Sequence, residues 1–228
     1  MYEIYWAKGD YYNRQQAANR EGCVAYLEAH YNALAKDAPG TQDNPSLVIV
    51  GANASQTSKN WGTWFSAAVA AEFGIDDRGL LIGPKRGDYN LRYTAMPAIL
   101  IEPLFCSDAT HAELIKSDAG MNRLARIVVE SVRRFFPSGG KLGFSVGHKY
   151  KTKNPHDRGA PIKGGGWEAD FAEEMLKRAA GMLTNAVDVT GDKRVLTIVR
   201  NGRMYDEIEL DADDVVGWNP CTETVSVG

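Results

Sequence analysis

A chain of 228 residues, 44% hydrophobic and 24% charged, has the composition of an ordinary soluble globular protein and can enclose one sizeable core with a small appendage. Its formal net charge of −3 supplies no global attraction to nucleic acid or to an anionic membrane surface, so neither partner is expected. Three cysteines, Cys23, Cys106 and Cys221, are too few and odd in number for a disulfide framework. Cys23 lies in a strand-like run and Cys106 beside one, and both read as small buried hydrophobes. The opening MYEIYWAKGDYYNR lacks the apolar centre of a signal peptide, and no run approaches membrane-spanning length. Synthesis in the cytoplasm without a Sec signal is therefore expected, and a substrate outside it would need another route of delivery.

Tyr2–Trp6 is a short aromatic and β-branched run, strand-like. Asp10 is placed to cap a helix through YYNRQQAANRE, which Gly22 would end. CVAYLEAH (Cys23–His30) reads as a strand, and so does SLVIVG (Ser46–Gly51) after a Pro/Gly/Asp loop. Ser58 precedes a helix carrying Trp64, Ala67, Ala71 and Phe73, closed by Gly74. The continuous apolar run Pro97–Ile101 suits a central strand covered on both faces.

Ser107 or Asp108 caps the next helical stretch. From about Asn122 to Phe136, Leu124, Ile127, Val128, Val132 and Phe135 recur at helical spacing. The breaker-rich PSGGK (Pro137–Lys141) leads into strand-like LGFSVG, and Trp167–Leu183 is a helix with Phe171, Met175, Met182 and Leu183 along one side. Past Thr184, RVLTIVR and MYDEIEL flank Asn201-Gly202, a hairpin signal. Strands alternating with helices predict an α/β fold, a mixed β-sheet flanked by helices, over residues 1–183. Residues 184–228 form a C-terminal β-hairpin extension, expected to pack on or near that domain.

Four residues stand where chemistry is easily placed. His30 ends a strand, His148 follows one, and Glu168 sits in the first turn of a helix after three glycines. Each alone is a weak signal: a strand-end histidine is commonly structural, and an acid at a helix start is favoured by the dipole. Glu102 ends the apolar strand PAILIE, where a carboxylate is costly unless it faces a polar cleft or is bonded to a base such as Arg14 or Arg20. Of the other histidines, His111 in the polar helix start THAEL reads as a surface residue. His156, in the loop NPHDRG, reads as a structural loop histidine within possible reach of substrate or metal.

Taken together, EGCVAYLEAHYNA (Glu21–Ala33), MPAILIEPLF (Met96–Phe105), FSVGHK (Phe144–Lys149) and GGGWEADFAEEMLKRA (Gly164–Ala179) resemble parts of the zinc-dependent N-acetylmuramoyl-L-alanine amidases of the AmiC/CwlV type. NRQQAANREG and DDRGLLIG resemble two further family segments, and the likeness covers most of residues 1–183. In that family the GH and Glu pieces open the domain; here they close it. Moving residues 142–183 in front of Met1 restores the family order, so the resemblance is to a circularly permuted member. It predicts that Tyr2–Trp6 shares a sheet with Phe144–Gly147.

The resemblance implies one zinc ion held by His148 of the GH motif, Glu168 of the GGxxE-like helix start and His30 of HxNA. It implies a general base at Glu102, in the pattern of Pro97, Leu100, Glu102 and Phe105. Asp157-Arg158-Gly159-Ala160 stands at the place of the family's DPGA turn. GHK replaces the common GHGG, Pro103-Leu104 stands where Thr-Gly is usual, and the hairpin region has no counterpart. The activity implied is hydrolysis of the bond between N-acetylmuramic acid and L-alanine in bacterial peptidoglycan, by a monomer. A phage endolysin passing through a holin-made lesion would meet the delivery requirement. Two alternatives stay open: a zinc peptidase or carboxypeptidase acting on stem peptides, and a non-catalytic wall-binding module.

Overall fold

In the computed structural model the described residues are 1–34, 44–83 and 88–184, together with the backbone of 194–200, 203–210, 216–219 and 224–227. The chain divides into two units, Met1–Thr184 and Asn185–Gly228.

The first unit is built on a six-stranded sheet. Its strands are β1 (Tyr2–Trp6), β2 (Ala25–Ala29), β3 (Ser46–Val50), β4 (Asp77–Ile82), β5 (Ala98–Glu102) and β6 (Gly140–Val146), in the order β1-β6-β2-β5-β3-β4. β1, β6, β2 and β5 run parallel, β3 is antiparallel to β5, and β4 is parallel to β3. β2, β3 and β5 are buried at every position, as largely apolar strands covered on both faces must be, and Glu28 and Glu102 are the charged exceptions within them. β1 and β4 form the edges and are correspondingly less apolar and less buried. β1 pairs with β6 from Tyr2 opposite Gly140 to Trp6 opposite Phe144, so Tyr2–Trp6 does share a sheet with the segment that precedes His148.

Alternation along the strands sorts the core onto two faces. Ala25, Leu27, Ala29, Val48, Val50, Ile99 and Ile101 face a layer of α2 (Gln56–Phe73), α3 (Ala109–Lys116), α4 (Asp118–Phe135) and α5 (Glu168–Thr184). Tyr26, Ile49, Ala98 and Leu100 face the other side, against Ala18 of α1 (Tyr11–Arg20) and Leu91. The helix boundaries differ from the sequence expectation in two places. α2 begins at Gln56, because Ser55 accepts the N–H of Ser58 and caps it; Ser58 lies within the helix, its hydroxyl accepting the N–H of Ala98. The buried stripe of α2 is consequently Trp61, Phe65 and Val69, while Ala67 and Ala71 face outward. α4 begins four residues early, at Asp118, capped by Ser117.

In the second unit β7 (Arg194–Arg200) and β8 (Arg203–Leu210) pair antiparallel from Arg194 opposite Leu210 to Arg200 opposite Arg203. This is the hairpin read from Asn201-Gly202, although residues 201 and 202 themselves lie outside the described residues. A second antiparallel pair, β9 (Val216–Asn219) with β10 (Thr224–Val227), was not anticipated. Cys23 and Cys106 are free and buried as expected; Cys221 lies outside the described residues. Among the described residues no helix is long and apolar enough to cross a membrane.

Candidate metal centre

Because four neighbouring strands are parallel, their C-terminal ends meet at one edge of the sheet, the usual location of a binding site in α/β folds. His30 follows β2, and its N–H donates to the carbonyl of Ile101 at 3.0 Å. β6 ends at Val146 and is followed by Gly147, whose N–H donates to Ala29 O at 2.9 Å, and then by His148. Glu168 opens α5 and is 4% exposed. Two glycines shape the space: a Cβ at Gly147 would stand 2.2–2.4 Å from atoms of the His30 ring, and one at Gly159 would stand 2.4 Å from Glu168 Oε2. The imidazole rings of His30 and His148 then lie edge to face, 5.0 Å between centroids.

His30 Nδ1 lies 2.9 Å from Glu168 Oε1, and His148 Nε2 lies 3.5 Å from the same oxygen. One donor atom from each of the three residues falls within 4.8 Å of the others. Ligands bonded to a tetrahedral ion at about 2.0–2.1 Å are about 3.3 Å apart. The two distances to Glu168 bracket that value, and the donor set is compatible with a zinc-sized ion. The cluster has the ligand chemistry too, two imidazoles and a carboxylate.

Each histidine turns its other nitrogen to a second carboxylate. His148 Nδ1 is 3.0 Å from Asp157 Oδ1, and His30 Nε2 is 3.0 Å from Glu28 Oε1. Such partners orient metal-binding imidazoles and raise their basicity. Glu168 is steadied by the N–H of Ala160, which donates to Oε2 at 3.0 Å.

The electrostatics favour a positive charge at this point. Burial opposes charge on His30, but the flanking Glu168 and Glu28 outweigh it and raise its pKa to about 9. Burial would raise the carboxylates, yet bonds from His30 and the charge of Arg14 bring Glu28 down to about 2. At Asp157 the bonds from Lys151, the Gly159 N–H and His148 likewise overcome burial and give about 2. Glu168 is lowered against the same opposition by His30 and His148.

Glu102 stands outside the three-residue cluster, at the C-terminal end of β5 and 6% exposed. Ala29 pairs with Ile101, so Glu102 lies at the level of His30 on the adjacent strand. The thiol of Cys106 senses both acids: burial first, then the charge of Glu168 and that of Glu102, push it up to about 12.

His111 corrects an expectation. It is buried, because its ring serves the loop after Glu102: Nδ1 accepts the N–H of Phe105 at 3.1 Å, and burial lowers its pKa. His156 is exposed and outside the cluster. Arg14 and Glu28 were not read as site residues. The guanidinium of Arg14 lies 3.6 Å from Glu28 Oε2, and both side chains are fully buried. A carboxylate two positions before His30 in an otherwise apolar strand shares the face of that histidine, and this spacing was the available signal.

The family model described as N-acetylmuramoyl-L-alanine amidase, Amidase_3, matches residues 5–134. The chain belongs to this amidase family. The matched span contains His30 and Glu102, while His148 and Glu168 lie C-terminal to it. An endolysin of Bacillus phage SPP1 is 28% identical over 141 residues, which is 60% of this chain and 49% of that protein. The chain therefore spans about half the length of this curated relative. Among solved structures, the N-acetylmuramoyl-L-alanine amidase from Clostridium difficile 630 is 23% identical, with 57% of this chain and 66% of that one covered and a TM-score of 0.49. The catalytic domain of the amidase CwlV from Bacillus (Paenibacillus) polymyxa var. colistinus is 22% identical, with 56% and 66% covered and a TM-score of 0.46.

Proposed function

We propose that this protein is a zinc-dependent N-acetylmuramoyl-L-alanine amidase acting on bacterial peptidoglycan. The observation that carries the reading is the convergence of one donor atom each from His30, His148 and Glu168 within 4.8 Å of one another. They share one sheet edge with the acid Glu102. These three residues would hold the ion, leaving a fourth position open. Zinc bound there would polarise the lactyl amide carbonyl and lower the pKa of a coordinated water toward roughly 7. Glu102 would take the proton from the attacking water as the oxygen–carbon bond forms, then deliver it to the nitrogen of L-alanine as the carbon–nitrogen bond breaks. The SPP1 endolysin likeness supports a lytic role in which the enzyme, made in the cytoplasm, reaches the wall through a membrane lesion.

The catalytic domain is residues 1–183, read as a circular permutant, with 184–228 as an extension. The parallel pairing of β1 with β6 supports this. Neighbouring parallel strands need a crossover connection, commonly a helix. With 142–183 placed ahead of Met1, β6, α5 and β1 would form one such βαβ unit, and His148 and Glu168 would come first. The family match to residues 5–134 agrees with that order. So does the short turn at the junction, in which Gly139 N–H donates to Phe136 O at 3.0 Å.

The test is mass spectrometry of peptidoglycan digested by wild type and by Glu102→Ala. Stem peptides with a free L-alanine amine are expected from wild type, with a loss of about 10²–10⁴-fold in the variant. Zinc-loaded wild type that cuts within the stem would make the protein a peptidase. Zinc-loaded wild type that cuts nothing would make it a binding module.

A further inference from the structure

Glu28 is a fully buried carboxylate near the C-terminal end of a central strand, in contact with His30 directly and with the segment leading to His148 through Ser145 and Arg14. Oε1 lies 3.0 Å from His30 Nε2 and also accepts from Asn90 Nδ2. Oε2 accepts from Tyr26 Oη at 3.1 Å and Ser145 Oγ at 2.9 Å, and lies 3.6 Å from Arg14 Nη1. Arg14 is buried as completely. Its guanidinium donates to Ser145 Oγ at 2.8 Å, to Val146 O at 2.9 Å, to Lys149 O at 2.8 Å and to Gly9 O at 2.7 Å. Val146 and Lys149 bracket His148, which adopts φ +62°, a conformation that residues with a side chain resist.

We infer that Arg14 and Glu28 form one buried unit that positions both histidines of the metal centre; the inference rests on the metal-centre reading above. With a metal in place of the Nδ1 proton, Glu28 accepts the remaining proton from His30 Nε2 and so favours the tautomer whose Nδ1 faces Glu168 and His148. Arg14 fixes Glu28 and, through the carbonyls on either side, clamps the left-handed turn that aims His148. Neither residue reaches the open side of the cluster, so both are positioning residues.

A buried ion pair could serve stability alone, and metal affinity separates the two roles. The pair is replaced together, Glu28→Leu with Arg14→Met, since apolar replacement of a buried ion pair is often well tolerated. Zinc binding is measured by competition with a chromophoric chelator, beside the melting curve. A cooperative fold with zinc affinity about 10–100-fold below wild type is expected, the loss usual when such outer partners are removed. A Co²⁺-loaded sample should lose the intense absorption of tetrahedral coordination. Unchanged affinity in the folded double variant overturns the inference while leaving the metal centre standing. Wild type that takes up no zinc overturns the centre and the inference together.

A second measurement needs no variant. In ¹⁵N spectra of zinc-loaded wild type, His30 should show a protonated Nε2 and a metal-bound Nδ1. Metal on Nε2 would overturn the assignment even if the double variant failed to fold.

Discussion

At Gly159 a methyl group would stand 2.4 Å from Glu168 Oε2 and 2.8 Å from His148 Cδ2, and the backbone there has φ +73°. Two of the proposed ligands thus close on a position that only glycine occupies without strain. Gly159→Ala is expected to weaken zinc binding by at least about 10-fold, in keeping with displaced ligand partners. It should also cost about 1–3 kcal/mol of stability from the strained backbone; a zinc titration and a urea melt read the two effects separately. His111 makes a pH-dependent contribution. Burial holds its pKa below 6.5, so the native state favours the neutral ring while the unfolded chain takes up a proton first. The stability it supplies is complete above pH 6.5 and is lost as pH falls through the lower folded value. His111→Gln offers an acceptor to the Phe105 N–H without titrating. Its melting temperature should fall less steeply than that of wild type between about pH 6.5 and 5.

Among the elements, α4 and α1 show two ways of holding a helix to a sheet. α4 buries Leu124, Val128 and Val132 completely, Ser117 accepts the Gly120 N–H at 3.1 Å, and Asp118 and Arg133–Arg134 match the two ends of the helix dipole. Ser117→Ala is expected to cost about 1 kcal/mol, and Leu124→Ala about 2–5 kcal/mol. Urea denaturation of the two variants would show which of cap or core dominates. α1 is polar and is held by side chains. Asp10 precedes it without capping it: its carboxylate instead accepts from Thr152 Oγ1 at 2.7 Å and so ties the loop after His148 to this helix. Gln15 and Arg14 on the same helix reach Tyr89 O and the Val146 carbonyl. α1 therefore acts as a bracket for the segments around the centre more than as a packing element.

At the scale of the molecule, the parallel sheet edge collects residues from distant parts of the chain: His30 from β2, Glu102 from β5, His148 after β6 and Glu168 on α5. A reordered chain running 137–184, a short Gly-Ser linker and then 1–136 would place β6, α5 and β1 in succession. It is expected to fold with the zinc affinity of the present order, and to refold faster because the β1–β6 pairing becomes more local. Circular dichroism, zinc titration and stopped-flow refolding check this; a reordered chain that stays unfolded would count against the permutation.

Helical period, strand alternation and turn residues act over a few neighbours, and to that extent the strands β1, β2, β3, β5 and β6, the five helices and the first C-terminal hairpin were legible from the sequence. The motif likeness also named His30, His148, Glu168 and Glu102, because short stretches of sequence carry it. Other features depended on what lies across the sheet. β4 carries too few apolar positions to announce itself, since an edge strand buries little. Ser55 and Ser58 are equally good caps locally, and the need of the Ala98 N–H for a partner distinguishes them. His111 stands in a polar stretch, yet it is buried by a loop whose N–H it accepts. Glu28 and Arg14 meet across 14 residues of sequence, and Glu28 and Ser145 across 117. Only the tertiary structure decided those pairings, because a buried charge takes its partner from whatever the fold brings within about 3–4 Å, at any sequence separation.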